Sequence, residues 1–115
     1  MSKRIEICVE EVQGISIVSA DGSVNQEESA EIHQKFKKLI ESGVSKIVFD
    51  FSKTTYICSM FLGVLVEIHA DILIKGGLRL ANLNQFQHKL LKATDLDKIM
   101  KVCDTVDEAV ASFEE

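Results

Sequence analysis

The segment from Lys46 to Gly77 constrains this chain more than any other. It opens on Ile47-Val48-Phe49, a short β-branched and aromatic run that ends at a polar residue, Asp50, and reads as a buried strand. Further on, Phe61, Leu62, Leu65, Ile68, Ile72 and Leu73 share one wide face at helical spacing. Gly76-Gly77 stops that helix. Such a pair needs a sheet around the strand and a core beneath the helix. Ser59 stands where the helix begins, so its hydroxyl is expected to cap the first turn, exposed at the positive end of the helix dipole.

The flanking segments supply the rest of the fold. Ile5, Ile7 and Val9 alternate with Glu6, Cys8 and Glu10, a half-buried strand. After a turn at Val12-Gln13-Gly14, Ile15 to Ala20 gives a second strand, and Asp21-Gly22-Ser23 breaks the pattern. Asn25 caps a helix with Glu28 as its capping-box partner; Ile32, Phe36, Leu39 and Ile40 form its stripe, and Gly43 ends it. Ser52 to Thr55 reads as a polar connection. Beyond the central helix come a strand at 78–83, a short helix around Phe86, Leu90 and Leu91, and a last strand at 99–102. A final helix is capped by Asp104 or Thr105. The reading is a single α/β domain over residues 1–115: a four- to five-stranded mixed sheet with about four helices packed mainly on one face.

On the central helix, Glu67, Asp71 and Lys75 form a polar stripe, with Asp71 and Lys75 spaced to pair. Met60 and Val64 fall along that stripe beside Ser59, with Gly63 adjacent and Ile74 near it. Apolar side chains are therefore expected at the surface there, as a partner-binding patch. His69 falls on the apolar side, as a core-edge histidine with one hydrogen-bond partner.

Several functions are disfavoured. Thirteen basic against eighteen acidic residues leave a net charge of −5, which argues against nucleic-acid binding. No apolar leader and no long apolar window predict a cytoplasmic chain with no direct membrane insertion. Three cysteines, Cys8, Cys58 and Cys103, sit at no metal-like spacing. No HExxH, GxSxG or P-loop occurs, so neither metal nor cofactor is expected, and no acid, base and nucleophile assemble into an enzyme.

The segment Ile47-Val48-Phe49-Asp50-Phe51-Ser52, with Tyr56-Ile57-Cys58-Ser59-Met60-Phe61-Leu62-Gly63-Val64-Leu65, resembles the STAS family, the anti-sigma-factor antagonists and their relatives. The resemblance extends to Gly22-Ser23-Val24-Asn25, to Gly76 through Asn82, and to Asp104 through Ala109. It implies a bacterial regulator that binds a serine kinase doubling as an anti-sigma factor. Ser59 then falls at the phosphorylated serine, and a PP2C-type phosphatase resets it. Asn25, Asp50, Thr55, Cys58, Met60, Gly63 and Val64 would shape the partner site with Ser59. Three positions depart from the family pattern: Cys58 stands for an aspartate, Met60 for a small residue and Phe61 for a glycine. Those departures motivate two alternatives: a non-phosphorylated interaction module in a transporter or signalling assembly, and a small-molecule or nucleotide sensor. Thr54 and Thr55 are secondary acceptor candidates, and Cys58 a candidate redox thiol.

Overall fold

The computed structural model describes residues 5–114. Strands β1 (Glu6–Val12) and β2 (Ile15–Val24) form the expected antiparallel hairpin, turned by Gln13 and Gly14 in the left-handed region. Helix α1 (Gln26–Glu41) starts behind Asn25, whose N–H donates to Glu28 Oε1 at 3.0 Å, the expected capping pair. Then follow β3 (Lys46–Asp50), β4 (Thr54–Ile57) and α2 (Ser59–Ile72). The chain closes with β5 (Gly77–Ala81), α3 (Gln85–Ala93), β6 (Lys101–Cys103) and α4 (Val106–Ala111), the last capped by Thr105 Oγ1 on the Glu108 N–H.

Strand order is β1-β2-β3-β5-β6, with β4 paired to β2 off that path. The sheet thus has six strands, more than the four or five read from sequence. The difference lies at one place. β3 leaves β2 at the Ser19–Asp50 pair, and β4 takes β2 up again at Gly22–Thr54, with a register shift before the next pair, Ser23–Tyr56. Residues 21–24 therefore extend β2 rather than break it, and Thr54 onward is strand rather than connection. Thr54 is buried and donates from Oγ1 to the Ala20 carbonyl at 2.8 Å, which rules it out as an accessible phosphoacceptor. Buried Gln87 of α3 donates to the Thr54 carbonyl at 3.0 Å and holds β4 from the other side.

β3 is apolar on both faces because both are covered. On one side α1, α2 and Leu91 of α3 enclose Phe36, Phe49, Phe51, Phe61 and Leu65. On the other, Ala109 and Val110 of α4 cover Ile17, Val48 and Ala81. The last strand begins at Lys101, not at residue 99, because a 3-10 turn at Leu96–Lys98 draws the Ile99 N–H to the Leu96 carbonyl. α2 closes through a 3-10 turn, Leu73–Lys75, before Gly76. A Cβ on Gly76 would lie 2.4 Å from the Ser45 carbonyl oxygen, so only glycine passes there without a backbone shift.

His69 is buried, as its place on the helix predicted. Its Nδ1 accepts from the Leu78 N–H at 3.0 Å, which leaves the other ring N–H to the Ile99 carbonyl. Burial, and then the nearby Arg79 charge, hold its pKa below the ordinary histidine value. The unfolded chain binds that proton more readily. The contribution of neutral His69 is therefore complete above about pH 6.5 and declines as pH falls below it. Urea unfolding from neutral to mildly acidic pH is expected to show this loss. His69→Gln is expected to be less stable at neutral pH, with a flatter pH dependence. An unchanged slope in that variant would remove His69 as the cause.

Candidate functional site

The carboxyl ends of β2, β3 and β4 and the start of α2 gather at one end of the molecule. This is the end at which parallel sheets present their functional loops. The Cys58 N–H donates to the Val24 carbonyl at 3.0 Å and pins the start of α2 to the end of β2.

Cys58, not Ser59, is the N-cap residue of α2, in extended conformation (φ −90°, ψ 167°). Ser59 is the first helical residue, so its hydroxyl is not the cap expected from sequence. It is exposed and makes no side-chain hydrogen bond among the described residues. Half-buried Cys58 lies with Sγ 3.4 Å from the Ser29 hydroxyl. Burial alone would push the Cys58 thiol up. The Ser29 contact and the backbone N–H groups of the first turn outweigh it, and its pKa lies below the ordinary thiol value. Cys103, buried under α4, is pushed the other way by desolvation.

Cys58, Met60 and Gly63 stand on the same helix start as Ser59, the bond from Cys58 to Val24 sets Asn25 near that turn, and Thr55 stands on β4. Thr55 and Ser23 hydroxyls lie 3.3 Å apart across β4 and β2. Met60 is 43% exposed, the expected apolar residue at the surface. Tyr56 on β4 is exposed too, and was not picked out from sequence. Its signal was there, an aromatic residue two positions before the helix cap.

Two expectations about the patch fail. Val64 is 6% exposed and belongs to the core, because α1 packs against that flank of α2; His33 of α1 hydrogen-bonds Glu67 there. Ile74 is 99% exposed, but it stands on the turn after α2, some 20 Å along the helix from Ser59. Glu67 pairs with His33, and no Asp71–Lys75 ion pair forms among the described residues. The exposed stripe at this end is Ser59, Met60, Gly63 and Glu67.

Asp50 has a different task. Its Oδ1 accepts from the Ser52 N–H at 3.0 Å and from Asn82 Nδ2 at 2.9 Å. It orders the turn after β3 and ties it to the end of β5, where Asn82 holds a left-handed conformation (φ 59°). None of these bonds reaches the Ser59 turn. Asn82 was not singled out in the sequence, since its partner lies 32 residues away. Among the described residues no group of three or more His, Cys, Asp or Glu is placed to hold a metal ion.

The arrangement is an α/β frame presenting a helix N-terminus with an exposed hydroxyl and neighbouring exposed apolar side chains. The STAS domain model matches residues 6–109. The chain belongs to the STAS domain family. It is 35% identical over 86 residues to a Thermotoga maritima protein named as an anti-sigma factor antagonist, covering 72% of this chain and 76% of that one. A crystal structure of a Thermotoga maritima anti-sigma factor antagonist superposes with a TM-score of 0.88 at 27% identity, covering 95% of each chain. An anti-sigma factor antagonist from Mycobacterium paratuberculosis shares the fold, with a TM-score of 0.90 at 20% identity over 97% of this chain and 96% of that one. The protein is thus an anti-sigma-factor-antagonist-like STAS protein, and no helix among its described residues is long and apolar enough to cross a membrane.

Proposed function

We propose that this protein is a partner-switching regulator. In this reading the unphosphorylated Ser59 end docks a serine kinase that doubles as an anti-sigma factor. That kinase phosphorylates Ser59 and releases it, and a PP2C-type phosphatase restores it. The observation that carries the reading is Ser59 itself, exposed at the first residue of α2 with the helix amides behind it. A phosphate there adds about −1.5 to −2 charge at a helix end that accommodates anions, so the fold need not move. The same charge beside exposed Met60 opposes an apolar partner surface through desolvation and repulsion. Two relatives named as anti-sigma factor antagonists support the partner class.

Incubation with a cognate serine kinase and ATP, followed by peptide mass spectrometry, is expected to place one phosphate on Ser59 and none on the Ser59→Ala variant. Unmodified Ser59 in a chain that still binds the kinase tightly would leave a constitutive interaction module instead.

Gly63 gives a second check. It sits inside α2, one turn beyond Ser59, and a Cβ there would meet nothing within 4 Å. Gly63→Ala is expected to raise stability by about 0.5–1 kcal/mol through helix propensity. The same methyl stands on the docking stripe, so partner capture is expected to weaken about tenfold, or about 1.4 kcal/mol. Unchanged capture would take Gly63 out of the interface.

A further inference from the structure

β1 is an edge of the sheet, and among the described residues no strand lies on its outer side. An open edge is a template for another strand, and chains blunt it with a short strand, a bulge, proline or charged side chains. Of these β1 carries only charge, and that charge is all of one sign. Its seven residues pair with β2 in unbroken register, and it contains no proline, lysine or arginine. It carries Glu6, Glu10 and Glu11, together with exposed Val9 and Val12. At its start Glu6 stands directly opposite Asp21 on β2. Like charges in that position work against the strand pair, and neither residue forms an ion pair among the described residues. Glu28 of α1 lines the same cleft, about 630 Å³ in volume, as do Ser23 and Asn25. The cleft therefore runs from the start of β1 to the start of α1.

We propose that the outer edge of β1 is a second docking surface, which takes an extended protein segment carrying lysine or arginine and adds it to the sheet as a further strand. Backbone pairing would supply the attachment, and Val9 and Val12 offer apolar contact. The three glutamates select the occupant. They favour a basic segment, and a second copy of β1 would set the same charges against each other. The inference stands apart from Ser59, because its probe need not touch that residue.

The probe is a fluorescein-labelled seven-residue peptide of alternating lysine and valine, titrated into the full chain by fluorescence anisotropy. Saturable binding is expected, weakening roughly tenfold as salt rises from low to about 0.3 M. Combined Glu6→Lys and Glu10→Lys is expected to abolish it and to gain binding of the glutamate–valine counterpart, a gain that also shows the variant is folded. The lysine–valine peptide N-methylated at alternate residues keeps its charge but cannot complete a ladder, and is expected to bind at least tenfold more weakly. Equal binding of the methylated peptide would reduce the effect to unspecific attraction and overturn the proposal. No binding of the basic peptide would overturn it too.

Discussion

Ser59→Asp is expected to weaken capture of the partner about 100-fold, roughly 2.7 kcal/mol, while leaving the fold at least as stable. The two halves of that result come from different physics. A carboxylate at the first position of α2 meets the positive end of the helix dipole, and that first turn holds no acidic residue to repel it. Stability is expected to hold or rise by up to about 1 kcal/mol. Toward a partner, the same charge lies next to exposed Met60, where docking would strip its water without supplying a counter-charge. Ser59→Ala is expected to bind as the native chain does, since the hydroxyl caps nothing. Calorimetric titration with the kinase partner reads the binding, and a thermal melt of each variant reads the fold. Equal affinity of the native and Ser59→Asp chains would show that charge at this position does not control docking.

The legible parts of this fold were those written in local pattern. Ile47-Val48-Phe49 announced a buried strand, and the wide stripe from Phe61 to Ile72 announced the helix above it, although Leu73, read as its last core position, lies exposed on the turn after α2. Asn25 with Glu28, and Thr105 with Glu108, marked two helix starts by residue type alone. What stayed hidden depends on pairing across the chain. Asp21-Gly22-Ser23 carries the composition of a break, yet β4 arrives alongside and turns it into strand. Thr54-Thr55-Tyr56-Ile57 has the β-branched and aromatic content of a strand but is only four residues long. Nothing nearby says that β2 extends far enough to receive it.

The candidate site follows the same division. The position of Ser59 at the start of α2 was readable to within one residue, the usual uncertainty of a helix end. Its neighbours across the gap between elements were not. Whether Val64 faces solvent depends on where α1 crosses α2, and helical spacing alone placed it on the wrong side of that boundary. Asp50 matched the family pattern, but its bonds to Ser52 and Asn82 show it holding a loop. Phe61, which departs from that pattern, has the clearest structural explanation.

Phe61→Ala is expected to cost about 3–5 kcal/mol of folding stability, the range for truncating a buried phenylalanine. The ring is fully buried beneath the first turn of α2. It meets Phe49 with centroids 5.2 Å apart at 62°, and Phe51 at 6.4 Å and 73°, both edge-to-face. Phe49 in turn contacts Phe36 of α1 and Phe51, so Phe61 closes an aromatic cluster that spans the sheet and both large helices. Two of its neighbours, Phe49 and Phe51, are themselves rigid rings at the end of β3, so the cavity has little freedom to collapse, which puts the loss in the upper part of the range. Phe61→Gly, the residue of the family pattern, adds roughly 1 kcal/mol of helix propensity to that loss. Phe61→Leu keeps most of the volume and is expected to cost less than about 1.5 kcal/mol. Urea unfolding of the three variants tests the order, and a loss below about 1 kcal/mol for Phe61→Ala would mean that the cluster repacks. The consequence reaches Ser59, because the Phe61 N–H donates to the Cys58 carbonyl at 3.1 Å and fixes the turn on which Ser59 stands. Where the family pattern places a glycine, this chain holds the turn that carries Ser59 down by a buried ring. Phe61→Leu should therefore leave partner affinity nearly unchanged, and Phe61→Ala should lower it even under conditions where the variant is fully folded.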